Sequence, residues 1–181
     1  YIITGLGKLK KAGAIPEAYK KMTDRITNNG LGYLHKRIKE DYDQLIKLKA
    51  NLNNQQISSL QIQYLYALSF HLDQPMEGAY LKAMTYYHKQ AQQYWQKQSA
   101  QLQAMTALVL FRSKDGSTSK AIINSLRERS IKNESLGMYW KNAQPAYYWQ
   151  DALIETQALL IEAFSEVSQD EASVLSMKQW L

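Results

Sequence analysis

Apolar residues recur at intervals of three and four along most of this chain and rarely alternate. Leu34, Ile38, Tyr42 and Leu45 follow that rhythm, as do Leu65, Leu68 and Leu72. Such spacing puts side chains on one face of a helix, whereas a strand needs a period of two. The breaks between periodic stretches are short, so successive helices must pack as antiparallel neighbours. The pattern therefore predicts an all-α fold of antiparallel helix hairpins. With 181 residues, one domain spanning 1–181 buries roughly 70% of the surface its unfolded chain exposes and needs no disulfide or metal.

Ile2, Ile3, Leu6 and Leu9 predict a short amphipathic helix ending near Gly13. Pro16 suits the first turn of a helical stretch over 16–48, one long helix or two abutting ones. That stretch carries Tyr19, Met22 and Ile26, then a kink or break at Asn28, Asn29 and Gly30. Residues 51–56 form a polar loop. Ser58 or Ser59 caps a helix to about Leu72, ended by Gln74 and Pro75. A Tyr- and Gln-rich helix covers 77–97, with Tyr80, Met84, Tyr87 and Tyr94 on one side. Ser99 caps a helix holding Leu102, Met105, Leu108, Val109 and Phe111, buried on most sides. Ser117 or Thr118 starts another, carrying Ile122, Ile123 and Leu126. Leu153, Leu160, Phe164 and Val167 mark the next. Asp170 caps a last helix through Val174, Leu175 and Leu181. Three helices, over 60–72, 102–111 and 153–164, are apolar nearly all round and carry Gln near their starts. Their spacing fits a weak helix-hairpin repeat in which one helix of each pair lines an inner layer.

The chain has no cysteine, which excludes thiol catalysis, Cys-based metal sites and disulfides. His35, His71 and His88 are not spaced as a helical metal pair, and no metal site is expected. Asp151, Glu155 and Glu162 share a helical face, and paired carboxylates across a cleft hydrolyse glycosides. Spacing along one helix does not place the second carboxyl across a cleft, so these read as ordinary acids near a helix N-terminus. No phosphate-binding glycine loop and no nucleophile elbow are present. Neither a catalytic residue nor a cofactor is assigned.

Residues 1–50 hold 11 Lys or Arg against 5 Asp or Glu, while the rest of the chain is balanced. Such a basic end suits an acidic partner. Interleaved with Glu17, Asp24, Glu40, Asp41 and Asp43, it reads more simply as a solvated helix face. Nucleic acid is not an expected partner, because no stacking or Arg-rich motif accompanies the lysines. No run approaches the roughly 18 apolar residues of a membrane span.

Residues 131–148 are a long connection between helices, with a short β-hairpin expected near 136–149. Tyr139, Trp140, Tyr147, Tyr148 and Trp149 gather there. Aromatic rings give large contact area, so this cluster is the candidate recognition surface. It is equally suited to plugging the end of a helical bundle.

The motifs LGMYW (136–140), YYW (147–149), IETQALLIEAF (154–164) and KQWL (178–181), in that order, resemble bacterial alpha-2-macroglobulin-like proteins of the Bacteroidetes type. ITGLGKLKKAG (3–13) and IQYLYALSF (62–70) resemble earlier helices of the same domain, the helical one equivalent to the thioester-bearing domain. The resemblance covers most of the chain loosely and the last 55 or so residues more specifically. It implies an α/α toroid within a larger protein of the periplasm or cell envelope, whose familiar members trap proteases through a Cys–Gln thioester. Without cysteine this chain departs from that chemistry, and 51–56 replaces the glycine-rich connection. The expectation is a non-catalytic domain whose partners are other domains of the parent protein and proteases. The chain opens on Tyr1 and closes directly after Trp180, with fewer helices than a closed toroid needs, and so reads as part of something longer. The alternative is an α/α-toroid carbohydrate-active enzyme, a glycosidase or lyase.

Overall fold

Helices fill most of the structure, as the three-and-four spacing requires. The computed structural model describes residues 1–74, 76–141 and 153–181. The chain divides into two compact units, Tyr1–Gln93 and Tyr94–Leu181.

The first unit holds α1 (Ile2–Lys11), α2 (Glu17–Lys47), α3 (Ser59–Leu68) and nearly all of α4 (Gly78–Tyr94). Gly13 ends the α1 region with a positive φ of 64°. Helix α2 then runs unbroken through Asn28, Asn29 and Gly30, one long helix and not two abutting ones. What changes there is the buried face. Leu31, Ile38 and Tyr42 point into the core, while Tyr19, Met22 and Ile26 stay exposed. Gly30 survives inside the helix because Ile3 of α1 packs onto it; a Cβ there would lie 2.2 Å from Ile3 Cδ1. Ile3, Leu31 and Leu68 form the junction of α1, α2 and α3, with Leu34 and Met84 against them.

Ser58 caps α3 in a capping box with Gln61. The helix stops at Leu68 rather than near Leu72. Beyond it the Ser69 hydroxyl donates to the Tyr66 carbonyl at 2.7 Å, and His71 turns its ring toward α1. The polar loop over 51–56 is fastened to α4 by Gln90, which is buried. Its amide nitrogen donates to the Leu52 carbonyl at 3.1 Å and its oxygen accepts from Gln56 N–H at 2.8 Å. Of the four residues assigned to one side of α4, Tyr87 is fully buried among Tyr86 and its neighbours, and burial pushes its phenol up.

The second unit is built round α5 (Ala100–Arg112), which packs against α6 (Gly116–Glu128) and α7 (Leu153–Ala163). A 3-10 turn (Trp95–Lys97) precedes α5, and Ser99 caps it as expected. Ala104, Ala107, Leu108, Val109 and Leu110 are buried, which confirms a helix enclosed on most sides. Helix α6 starts a residue or two earlier than expected. Asp115, not Ser117 or Thr118, is the cap, accepting from the Thr118 N–H. Strands β1 (Ile131–Asn133) and β2 (Gly137–Tyr139) pair antiparallel, Lys132 opposite Met138. The hairpin therefore begins earlier than the expected 136–149, and only its second strand falls within that range.

Helix α7 passes into a π turn (Phe164–Ser168), which buries Phe164 and Val167. Gln169 in the left-handed region ends it, and Asp170 caps α8 (Glu171–Trp180). The side chain and backbone of Ser173, and then Arg127, hold the Asp170 carboxyl below the usual carboxylate range. Leu175 is exposed, and Met177 is the buried apolar residue of α8.

The glycines of α1 give a paired test. A Cβ on Gly7 would lie 2.5 Å from Phe70 Cβ, an atom that cannot swing away, while one on Gly5 meets nothing within 4 Å. Gly5→Ala should stabilise the protein by up to about 1 kcal/mol through helix propensity. Gly7→Ala should lose about 1–3 kcal/mol to overpacking. Urea unfolding of the two variants checks this, and equal shifts would remove the close approach of α1 and α3.

Candidate interaction site at the hairpin

The aromatic cluster singled out in the sequence divides. Tyr139 and Trp140 are described; Tyr147, Tyr148 and Trp149 lie outside the described residues, as does Asp151. Trp140 leaves β2 and turns inward, 8% exposed. Its indole Nε1 donates to the Leu126 carbonyl at 2.8 Å, satisfying one of the last carbonyls of α6. Its ring packs on Phe164 at 5.8 Å between centroids. Phe164 in turn lies beneath the Arg127 guanidinium, 5.4 Å away.

Tyr139, one residue earlier, points to the other side of the hairpin. It is half-buried and stacks on Trp180 of α8 at 6.1 Å and 19°. Gly137 makes this approach possible. Its φ is +76° and a Cβ would fall 2.1 Å from the Ser176 carbonyl oxygen, so a larger residue is excluded by backbone and space together. Gln157 of α7 closes the arrangement from below. Its buried amide donates to the Met138 carbonyl at 2.8 Å and the Met177 carbonyl at 3.0 Å. Gln179 repeats the device at the rim, donating to the Glu134 and Ser135 carbonyls at 3.1 Å. Hairpin, α7 and α8 thus meet in one node, with the Tyr139–Trp180 pair half-open at its edge. Sequence reading found Tyr139 and Trp140 but not Trp180, Gln157 or Gly137. A Gln within an apolar helix was the available signal, because a buried amide must find partners.

Among the described residues, Glu155 and Glu162 do not assemble as a catalytic pair. Glu155 is exposed. Glu162 is held by Arg112 Nη2 at 2.8 Å, together with Glu166 of the π turn. Arg112 also grips Glu166 with two bonds, Nε at 2.9 Å and Nη2 at 2.8 Å. The guanidinium is almost wholly buried, and the fork suits a bidentate carboxylate. Glu166 escaped the sequence reading, although acids four apart on one helix facing a single Arg are a common solution for a buried cation. Among the described residues no group of His, Asp and Glu converges as a metal site, and no helix is long and apolar enough to cross a membrane.

The histidines stay apart as well. His71 is buried beside Gly7, its Nε2 3.4 Å from the Ile3 carbonyl. Burial and then the neighbouring Lys10 lower its pKa, against opposing pulls from Ile3 and Asp73. Burial likewise lowers His35, with Glu77 opposing.

No family model, no curated protein and no solved structure matches this chain.

Two predictions follow from these packing arrangements. Trp140→Ala should cost about 3–5 kcal/mol, since it opens a cavity against Phe164 and removes the indole hydrogen bond to the Leu126 carbonyl. Gln157→Leu, nearly equal in volume, should cost about 1–3 kcal/mol by leaving two buried carbonyls unpaired. Chemical denaturation measures both, and a Gln157→Leu protein as stable as the parent would show that the amide bridge contributes nothing. The second concerns pH. His71 binds its proton less readily folded than unfolded, so the unfolded chain takes up protons first as pH falls below the ordinary 6.5. Stability is complete above that pH and declines as it falls toward the folded pKa. In His71→Asn the decline between pH 7 and 5 should shrink, roughly to what His35 and the carboxylates contribute. Unfolding midpoints across that range decide it.

Proposed function

We propose that this chain is a non-catalytic helical domain of a bacterial alpha-2-macroglobulin-like envelope protein. It contributes to protease inhibition or protein–protein contact, without a thioester of its own, as part of an α/α toroid of helix hairpins. One observation supports this reading best. The motifs that carry the resemblance stand far apart in sequence, yet their residues touch. Trp140 of LGMYW packs on Phe164 of IETQALLIEAF, and Tyr139 stacks on Trp180 of KQWL. Gln157 bonds to the carbonyls of Met138 and Met177. The periplasmic or envelope setting rests on the resemblance alone.

The Arg112 clasp weighs against the carbohydrate-active alternative. A general acid must hold its proton near neutral pH. A carboxylate bonded to a buried guanidinium is favoured in its ionised form. Glu162 and Glu166 are therefore better suited to anchoring α5 against α7 and the π turn.

The complete reading frame tests the proposal directly. Flanking β-sandwich domains are expected, and a frame without any would overturn it. Independently, the 181-residue chain should release no reducing ends from a panel of bacterial polysaccharides. Turnover that disappears in Glu162→Gln would restore the enzyme reading.

A further inference from the structure

Helix α2 carries two apolar faces. The one that begins at Thr27 and continues through Leu31, Ile38 and Tyr42 is buried. The other consists of Tyr19, Met22, Ile26 and Tyr33, which are 55%, 47%, 38% and 61% exposed. Their spacings of three, four and seven residues are the a and d positions of a heptad, with Asn29 at the intervening d position. Such a seam is narrower than the stripe with which a helix docks onto a globular core, and it matches the width of a two-helix contact. The seam runs about 21 Å along the helix.

Charge and polarity identify the partner. Arg25, three residues after Met22, borders the seam on one side, and Lys36, three residues after Tyr33, occupies its next d position. Arg37 stands on the other side at the end of the seam, with Glu40 shared between it and Lys36. Between residues 17 and 37 there are five Lys or Arg and only Glu17 and Asp24 as acids. Two parallel copies of this face would set Lys36 of one against Lys36 of the other at that d position. A lipid surface would have to accept the Asn29 amide in the middle of the apolar stripe, where it finds no partner. A helix supplies one, since a polar residue in a seam sets register against a polar residue opposite.

We propose that the outward face of α2 is a docking seam for an amphipathic helix with acidic flanks, contributed by another domain or protein. The proposal rests on the reading of the chain as a non-catalytic interaction module and names its partner's chemistry. The basic balance of the first 50 residues then has a use beyond solvation. Association steered by charge and completed by two heptads is weak and fast, as suits a contact that forms and breaks.

The test uses the 181-residue chain and two designed helical peptides with the same leucine seam and one central Asn, one flanked by Glu and the other by Lys. Fluorescence anisotropy at physiological salt should show the Glu-flanked peptide binding about tenfold tighter or better. Ile26→Asp should abolish binding, with an unchanged circular dichroism spectrum because the site is exposed. The double variant Arg25→Glu, Lys36→Glu should invert the preference between the peptides. Equal binding of both peptides, or binding of neither, overturns the proposal. So does concentration-dependent dimerisation in sedimentation equilibrium that Ile26→Asp removes, which would make a second copy the occupant. Tighter binding to phosphatidylglycerol vesicles than to either peptide overturns it in favour of a membrane. None of these outcomes bears on whether β-sandwich domains flank the chain in its reading frame, so the two proposals fail separately.

Discussion

Buried glutamine amides hold the non-helical parts of this protein to its helices. A helix satisfies its own backbone, but a loop or hairpin laid against it brings carbonyls and N–H groups that have no partner in the helix. Gln90 of α4 takes the carbonyl of Leu52 and the N–H of Gln56, fixing the loop over 51–56. Gln103 of α5 donates to the Gln98 carbonyl at 2.9 Å and accepts from Arg129, fixing the entry to its own helix and the end of α6. Gln157 of α7 takes one carbonyl from the hairpin and one from α8. A primary amide suits the task because it both donates and accepts, at the end of a side chain long enough to cross a packing gap. A leucine in any of these places would fill the volume and leave buried polar groups unpaired.

This device explains which features were legible in the sequence. Helix periods and caps depend on neighbours a few residues away, so Ser58, Ser99 and Asp170 were readable as caps, as was the enclosure of α5. Features set by distant segments were not. The end of α3 at Leu68 depends on how Phe70 and His71 meet Gly7 of α1. Whether 16–48 is one helix or two depends on Ile3 filling the space over Gly30, a choice that local propensity leaves open. At Asp115 the local signal is present but ambiguous, because Ser117 and Thr118 are also good caps. The Gln residues near the starts of the inner helices were visible as a shared texture, yet their partners lie 19 to 20 residues away for Gln157.

The candidate site was legible in part for the same reason. Aromatic density in 131–148 drew attention to Tyr139 and Trp140, but a ring's destination depends on what the fold brings beside it. Adjacent residues of a strand point to opposite faces. Trp140 consequently enters the unit's core, and Tyr139 turns to Trp180 at its edge. The carboxylates show the same dependence on context. Glu155 and Glu162 share a helical face, yet only Glu162 reaches Arg112, and it does so together with Glu166 beyond the change from α to π winding.

The two faces of α2 follow from a limit on what a unit of this size can cover. The buried residues Leu31, Ile38 and Tyr42 satisfy the demand of α1, α3 and α4 for apolar surface, and they occupy the later part of a helix of 31 residues. The first three turns, over 17–26, contribute no buried residue, although Tyr19, Met22 and Ile26 are apolar. A helix needed only for this core could begin near Thr27, and a helix lengthened only for solubility would carry charge on every side of the extension. The extension instead keeps an apolar stripe edged by Arg25, at a phase that the core does not use. Single exposed apolar side chains need no explanation on a protein surface. Four at heptad spacing do, because each leaves apolar area in water that a substitution to Lys or Glu would have removed without disturbing any buried contact.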